Sequence, residues 1–555
     1  MPLLPRKFFA VVGRSAVAVC IFAATLSGCS ERERPAETAA KNGTLLIGNA
    51  ADPASLDPSL TTGSAEFKIL SGLFEGLVCA DTKSLEIRPA VAKSWKISPD
   101  KTKYTFYLDE KAKWSDGSQV EAEDFVFAWR RTLNPIIGAE YASMLFVIKN
   151  AAAYNAGKIK NPDEIGVRAI GSNTLEVELE RPAPYFLSML YHNVFFPLPR
   201  RTLEKFGAQA ARDTLWTRPQ NIVCNGPFVL EKWSINDRVA LKRNPFYRAK
   251  DELFLNRVEF LPISNINTED RAFRAGQLHI TDSVAPSRLA STIADAPHTL
   301  RRDKWLGVYY YLLNTSKPPL DNPLVRKALA KALDRRAIID SFLKAKQEHA
   351  LSFVPQNCDG YILDDRNKIA ENVADARKLL ALAGYPDGRN FPTIRITYNT
   401  SEQHKPIAEA VQQMWKKNLG IDVELYNLSW PAYLSARKNG DFEVARASWV
   451  GDYAAPESFL EIFISDSGLN HSRYNNKKFD ELVVRAAKAE TNGERLAILA
   501  EAESAMLRDM PVIPIYFYSK VYRISPLVKG WNANLLDYHN FLGVRLAAPE
   551  NGGAK

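Results

Sequence analysis

The sequence predicts an α/β protein with more than one domain. Its 555 residues exceed what one hydrophobic core usually accommodates, and this length suggests two to four domains. Hydrophobic residues make up 46% of the chain and charged residues 24%, which is ordinary for a globular protein and excludes disordered and fibrous classes. In the second half, short β-branched and aromatic runs alternate with amphipathic segments, as expected for strands joined by crossover helices.

The first 28 residues are predicted to be an export signal that ends at a lipid-attachment site. Basic residues precede an apolar run at 16–26, which is too short for the roughly 20 residues that cross a membrane. The run ends in LSGC at 26–29, which resembles the bacterial lipobox. We therefore expect Cys29 to be acylated, to become the first mature residue and to anchor the chain to a membrane. The alternative is an ordinary signal peptide that contains a cysteine.

Residues 29–43, with the sequence CSERERPAETAAKNG, contain no large apolar side chain. This composition favours a flexible tether between the lipid and the fold. The first strand is predicted directly after the tether, at 44–48, and Asp-Pro pairs interrupt the loop that follows this strand.

The remaining elements follow from hydrophobic periodicity and residue type. Strands are predicted at 104–108, 174–179, 239–242, 258–262, 308–313, 393–398, 423–425 and 515–518. Helices are predicted at 123–131, 323–334, 373–383, 406–418 and 478–485. The chain contains no internal repeat and no low-complexity tract.

Charge and cysteine content argue against a nucleic-acid-binding protein and against sites built on paired cysteines. The 72 basic and 63 acidic residues are intermixed, and removal of residues 1–28 lowers the net charge from +9 to +6. No run of five or six like charges occurs, so no nucleic-acid partner is expected. After Cys29 the cysteines are Cys79, Cys224 and Cys358, and none of them forms a C-x-x-C pair. We expect no disulfide among these three, because a fold of this size does not need one.

Sequence signatures of common enzymes are absent. The chain has no G-x-S-x-G, H-E-x-x-H, Walker or G-x-G-x-x-G motif, and none of its seven histidines has metal-ligand spacing from another. We therefore expect a protein that is not an enzyme and that uses no cofactor or metal. A secreted hydrolase remains the alternative, since distant acidic residues can meet in space.

A set of motifs between about residues 44 and 545 is more specific than composition. The segment 114–125 reads W-S-D-G-x-x-V-x-A-x-D-F. The other motifs are SLDP at 55–58, LFEGL at 73–77, PAVAKSW at 89–95, PYF at 184–186, NGPF at 225–228, VRKAL at 325–329 and the segment 379–385. In order and spacing they resemble the solute-binding proteins of ABC transporters, family 5 (the peptide- and nickel-binding family), and among these the periplasmic oligopeptide-binding proteins.

This resemblance implies a periplasmic-binding-protein-like (Venus flytrap) fold, with two hinged α/β lobes and an extra inserted domain. Domain I would comprise 44–64, 201–303 and 520–549, domain II the inserted 65–200, and domain III 304–519. Domain III would close over a ligand bound between the lobes. The W-S-D-G block is expected to form a turn between strand and helix that contacts no ligand.

The resemblance also implies a function. The protein would capture short peptides in the cleft between the lobes and deliver them to the permease subunits of an ABC importer. It would act in the periplasm or cell envelope as a lipid-anchored monomer. Murein peptides, dipeptides or a nickel chelate are alternative cargoes.

The segment 446–453, RASWVGDY, is predicted to contact both ends of a peptide. In similar receptors the aspartate at the position of Asp452 pairs with the α-ammonium of the ligand, although on its own this Gly-Asp pair is also typical of a surface turn. By motif match, Arg446, His404 and Lys344 would meet the carboxylates of peptides of increasing length. The Lys344 match requires a one-residue shift in the alignment.

Further residues are expected around the ligand from the same resemblance. Trp430 and Trp449 would form walls of side-chain pockets, Tyr141 and Tyr518 would line the cleft, and Asp52 would be an acidic residue near the ligand. The peptide backbone would bind as an added β-strand, and hydrated pockets would accept many side chains. Similar proteins have a disulfide at the positions of Gly307 and Val450, so the strands here must pair without it.

Overall fold

The computed structural model describes residues 34–61, 63–343, 347–356, 358–401, 403–465 and 467–548, and of residues 430 and 431 it describes the backbone alone. The predicted export signal, Cys29 and Lys344 therefore lie outside the described residues.

The first sheet has four strands in the order β1–β10–β9–β8. Their bounds are Thr44–Gly48 (β1), Phe228–Ser234 (β8), Arg238–Arg243 (β9) and Arg257–Leu261 (β10). β1 pairs in parallel with β10, and β8, β9 and β10 form an antiparallel meander. Because β1 and β8 lie in one sheet, the long chain between them is an insertion.

The part of this insertion at 65–200, here called the inserted segment, forms its own antiparallel sheet in the order β4–β5–β7–β6. These strands are Ala92–Ile97 (β4), Lys103–Leu108 (β5), Val167–Ala169 (β6) and Thr174–Glu178 (β7), and a small ribbon is formed by Val78–Ala80 (β2) and Ile87–Pro89 (β3). The W-S-D-G block forms the predicted turn before a helix: Gly117 has φ +87°, and Trp114 Nε1 donates a hydrogen bond to Asp124 Oδ2 at 3.0 Å.

The third sheet has five strands in the order β13–β12–β14–β11–β15. They are Leu300–Leu313 (β11), Ile394–Asn399 (β12), Val423–Leu428 (β13), Val444–Val450 (β14) and Val512–Arg523 (β15). β12 is parallel to β13 and β14, whereas β11 is antiparallel to β14 and β15. A final ribbon pairs Val528–Lys529 (β16) with Arg545–Leu546 (β17).

Helices cover the sheets and connect their strands, as the alternating pattern predicts. In chain order α1 to α16 are Pro35–Lys41, Ser64–Leu73, Ala122–Leu133, Ala151–Asn155, Phe186–Met189, Arg200–Lys205, Ile266–Arg274, Pro286–Asp295, Pro323–Lys331, Arg335–Ile338, Val373–Leu382, His404–Leu419, Trp430–Asn439, Glu457–Leu460, Lys477–Ala486 and Asn492–Asp509. Each predicted strand and helix is present, but β11 and β15 extend well beyond the predicted bounds. Among the residues described, no helix has both the length and the apolar character needed to span a bilayer.

The predicted flexible tether is wrong for its second half, because Pro35–Lys41 forms helix α1. Ala36 and Ala40 are buried, the backbone N of Ala36 donates to the Gly276 carbonyl at 2.8 Å, and His279 Nε2 lies 2.8 Å from the Ala36 carbonyl. Small side chains allow this helix to pack closely against the fold. The absence of large apolar residues therefore did not indicate disorder here.

The described residues form two main hydrophobic cores. The first core contains buried side chains from 45–280 and 522–544 together with Tyr453 and Ala455, and the second core contains side chains from 306–516. The paired strands β11 and β15 join these cores, since they pair from Leu300 with Arg523 to Leu312 with Val512. Cys79, Cys224 and Cys358 are buried free thiols, and burial raises the pKa of Cys79 and of Cys224 to about 12.

A buried ion pair explains part of the SLDP motif. Arg131, at the end of α3, donates to both carboxylate oxygens of Asp57 at 3.1 and 2.8 Å, and the two side chains are 1% and 4% exposed. Trp216 Nε1 also donates to Asp57 Oδ2 at 3.3 Å. The pair therefore fastens the loop after β1 to the inserted segment.

We predict that Asp57→Asn lowers the free energy of unfolding by about 3–5 kcal/mol, because it leaves the Arg131 guanidinium buried without its counter-ion. Urea unfolding of the purified protein measures this change. Glu481→Gln, in the exposed pair with Lys477 at 3.9 Å, serves as the control and should have no measurable effect. Equal stability of the two variants would contradict the prediction.

Candidate functional site

Strand β14 and the loop after it present the residues predicted in segment 446–453. Antiparallel pairing places Arg446 opposite Tyr311 and Trp449 opposite Val308 of β11. Beyond the strand, the backbone N of Gly451 donates to the Leu306 carbonyl at 2.8 Å, and the backbone N of Asp452 donates to Ser458 Oγ at 3.0 Å. The backbone around Asp452 is therefore held on both sides.

Asp452 is a partly buried carboxylate without a cationic partner. Tyr141 of the inserted segment donates its hydroxyl to Asp452 Oδ1 at 3.0 Å, and within the described chain no lysine, arginine or histidine forms an ion pair with Asp452. Burial raises the pKa of Asp452 to about 6, and the Tyr141 hydrogen bond lowers it only in part. A cation that binds beside such a desolvated, unpaired carboxylate therefore strongly stabilises its ionised form.

Arg446 is the matching cation, and it is only 7% exposed. Its Nη2 donates to the Tyr518 hydroxyl at 3.0 Å, and its guanidinium lies 4.7 Å from the centre of the Tyr309 ring. Its Nε has no hydrogen-bond partner, and no described carboxylate lies within ion-pairing distance. The buried Arg131, Arg495 and Arg523 each pair with a carboxylate, whereas the buried Arg326 donates to backbone carbonyls.

His404, the first residue of α12, lies beside the same tyrosine. Its ring centre is 5.7 Å from that of Tyr309, and its Nδ1 is buried without a partner. Burial, and then the charge of Arg446, lower the pKa of His404 to about 3, so the imidazole is neutral at pH 7. The hydroxyls of Tyr309 and Tyr311 are also buried without partners. Unpartnered buried polar atoms are costly, and their concentration here is typical of a binding site.

The structure thus brings most of the predicted residues into two neighbouring groups. Arg446 and His404 lie beside Tyr309, and Arg446 also contacts Tyr518. Asp452 and Tyr141 form a pair at the end of the same strand. Trp449 is fixed near Asp452, because its Nε1 donates to the carbonyl of Ser458 at 2.6 Å.

Three predicted residues are not brought to these groups or cannot be placed. Asp52 accepts a hydrogen bond from the backbone N of Asn236, and its recorded contacts include none of the other predicted residues. The backbone of Trp430 begins α13, but its side chain, like Lys344, lies outside what the structure describes.

Three residues near these groups were not predicted from the sequence: Tyr309, Ser458 and Trp305. The ring centre of Trp305 lies 5.7 Å from that of Tyr518. Side chains alternate between the two faces of a strand, so Tyr309 and Tyr311 lie on the same face of β11. This pattern could have identified both tyrosines as candidates from the sequence. Gly307 and Val450 oppose each other, and a Cβ on Gly307 would lie 2.9 Å from Tyr518 Cδ2. The two strands therefore pair here without a cross-link. Within the described ranges, no three His, Cys, Asp or Glu side chains are grouped so as to hold a metal.

We predict that Asp452 makes the stability of the ligand-free protein depend on pH. Its pKa is about 6 in the folded chain against an ordinary 3.8, so the folded state binds this proton more tightly than the unfolded state. The resulting stabilisation is present at low pH and is lost as the pH rises through 6. Relative to Asp452→Asn, the wild type should lose about 2 kcal/mol of unfolding free energy between pH 4.5 and 7. Urea unfolding of both proteins at both pH values tests this prediction. It would be refuted if the difference in unfolding free energy between the wild type and Asp452→Asn were the same at pH 4.5 and pH 7.

Comparison with known proteins assigns the family. The model of the bacterial extracellular solute-binding proteins, family 5 (middle region), matches residues 86–471. The periplasmic oligopeptide-binding protein OppA of Escherichia coli is 35% identical over 530 residues, which cover 94% of this chain and 96% of that protein. OppA of Salmonella typhimurium is 37% identical over 495 residues, which cover 88% of this chain and 89% of that protein.

Solved structures agree with this assignment. The murein tripeptide binding protein MppA of Escherichia coli superposes with a TM-score of 0.81 at 35% identity, over 91% of this chain and 98% of that chain. OppA of Haemophilus influenzae in complex with the peptide RPPGFSPFR has a TM-score of 0.80 at 34% identity, over 91% and 99% of the two chains. The predicted periplasmic-binding-protein-like α/β fold is confirmed, and so is the expectation of a binding protein rather than an enzyme. The chain belongs to family 5 of the bacterial extracellular solute-binding proteins.

Proposed function

We propose that this solute-binding protein captures short peptides with free termini and delivers them to the permease subunits of an ABC importer. One observation carries the proposal: the anion Asp452 and the cation Arg446 lie along one strand and its following loop, and neither has a counter-ion among the described residues. A peptide with free ends supplies both missing charges in one molecule.

The α-ammonium of the peptide would pair with Asp452. At about 3 Å and an effective dielectric constant near 20, this attraction is roughly 5 kcal/mol, much of which is offset by desolvation. The carboxylate of a short peptide would bind Arg446, whose planar guanidinium can pair through two hydrogen bonds. His404 and Lys344 would meet the carboxylates of longer peptides, and Trp430, Trp449, Tyr141 and Tyr518 would line the cleft around the side chains. Asp52 has the weakest support among the proposed ligand residues.

The names of the relatives support peptides as the cargo. Oligopeptide-binding proteins, a murein peptide-binding protein and the dipeptide-binding protein DppE of Bacillus subtilis all match most of this chain at 33–37% identity. Murein peptides, dipeptides or a nickel chelate remain the alternative cargoes, since all would use the same cleft.

Capture would proceed by closure of domain III (304–519) over the ligand, hinged against domain I (44–64, 201–303 and 520–549), with domain II (65–200) as the inserted domain. The separation of the second core from the first supports the division of domain III from domains I and II, whose side chains share the first core. The two long paired strands β11 and β15 would form the hinge, because they run from one core to the other.

We predict that Asp452→Asn weakens the binding of a tripeptide with free termini by about 3–5 kcal/mol, because the α-ammonium then enters the cleft unpaired. Isothermal titration calorimetry with trialanine, after removal of bound ligand by unfolding and refolding, measures the affinity. Asp365→Asn, at a side chain 93% exposed, is the matched control and should bind as the wild type does. Unchanged affinity in Asp452→Asn would reject the assignment of this residue.

We further propose that the protein acts in the periplasm as a monomer held to the membrane by a lipid on Cys29. The motif LSGC at 26–29 supports the anchor, and the periplasmic relatives support the compartment. Cells that express the wild type and are labelled with radioactive palmitate should yield a labelled protein in the membrane fraction, whereas Cys29→Ser should be unlabelled. Labelling of both proteins, or of neither, would exclude lipidation at this residue.

A further inference from the structure

The segment 451–461, here called the Asp452 loop, follows β14 and includes helix α14, and it also packs against the inserted segment. Tyr453 and Ala455 belong to the first core, although the strand before them and the helix after them belong to the second. The rings of Tyr453 and Tyr185 are stacked, with centres 5.1 Å apart and planes 9° from parallel. Both tyrosines are almost fully buried. The residue next to Asp452 is thus held by a side chain more than 260 positions away in sequence.

A second contact fixes the far end of this loop. Tyr185 donates its hydroxyl to Glu461 Oε1 at 2.7 Å, and Arg181 Nη2 lies 3.5 Å from the same oxygen. Tyr185 therefore contacts the loop twice, through its ring at Tyr453 and through its hydroxyl at Glu461. It also accounts for the PYF motif at 184–186, to which the proposed function assigned no role.

Between these contacts the loop is fastened to the second core. The carboxylate of Glu457 pairs with Arg495 of α16 at 2.5 Å, and both side chains are buried. Ser458 accepts the hydrogen bond from the backbone N of Asp452 through its Oγ. These contacts restrict the conformation of Asp452, and its carboxylate accepts a hydrogen bond from the hydroxyl of Tyr141 in the inserted segment.

We propose that Tyr185 and Glu461 are positioning residues, which hold the Asp452 loop so that its carboxylate meets the α-ammonium of the peptide. This inference rests on the proposed function. It gives the inserted segment a role in recognising the amino terminus of the ligand, through Tyr141 directly and through Tyr185 by way of the loop.

A purely structural role for the same contacts has a different consequence. If Tyr185 and Glu461 only held the two parts of the chain together, their loss would weaken every ligand and would act independently of Asp452. A positioning role acts through the Asp452 carboxylate, so it requires that carboxylate. A double-mutant cycle separates the two cases.

The experiment measures trialanine binding by calorimetry to Tyr185→Phe, Asp452→Asn and the double variant, each freed of bound ligand. Tyr185→Phe keeps the stacked ring and removes only the hydroxyl. We expect it to weaken binding roughly tenfold to a hundredfold, as for one hydrogen bond to a charged group. In the Asp452→Asn background the same substitution should change affinity by less than twofold. Glu461→Gln is the second variant and should behave in the same way.

Tyr361→Phe is the matched control, because it removes a similar buried tyrosine–glutamate hydrogen bond, to Glu503, within the second core. It should leave affinity unchanged. The positioning role would be overturned if Tyr185→Phe weakened trialanine binding by the same factor in the wild-type and Asp452→Asn backgrounds. It would also be overturned if Tyr185→Phe alone did not weaken binding. If Asp452→Asn itself binds trialanine normally, the assignment of Asp452 in the proposed function fails, and that result is distinct from failure of the positioning role alone.

Discussion

Two opposite charges withdrawn from water, with no counter-ion among the residues that the structure describes, are the constraint on which the rest of this structure depends. Desolvation of a carboxylate and of a guanidinium costs several kcal/mol each unless they are paired. Asp452 is supported by one tyrosine hydroxyl and Arg446 by another, with a tyrosine ring against its guanidinium. These contacts reduce the cost without neutralising either charge, so a ligand that carries both opposite charges is favoured.

The surrounding architecture serves to keep these charges in place. β14 is a central strand, paired with β12 on one side and β11 on the other, so its position is determined by two ladders of hydrogen bonds. The loop beyond it is fixed by the buried pair of Glu457 and Arg495. Recognition of termini and backbone by such a rigid strand does not depend on the ligand's side chains, which fits a receptor for peptides of many sequences.

The inserted segment is joined to both cores, and this explains why its contacts matter to the site. Its buried Arg131 pairs with Asp57 of the first core, while Tyr141 and Tyr185 reach the loop after β14. Tyr141 and Tyr185 are therefore the side chains through which the inserted segment contacts the Asp452 carboxylate and its loop.

The sequence by itself determined the α/β class and a set of strands and helices that the structure contains, but not β14, the strand that carries Arg446. Asp452 and Arg446 became candidate charges through the resemblance to a known family. These features depend on local periodicity and on motifs, which neighbouring residues carry. Only the tertiary structure decided that Tyr309 lies against Arg446, that Asp52 accepts a hydrogen bond from the backbone of Asn236, and that the alanines of α1 pack as a helix. It alone also joined Tyr185 to Tyr453, because contacts between residues hundreds of positions apart depend on how the whole chain folds and leave no local pattern.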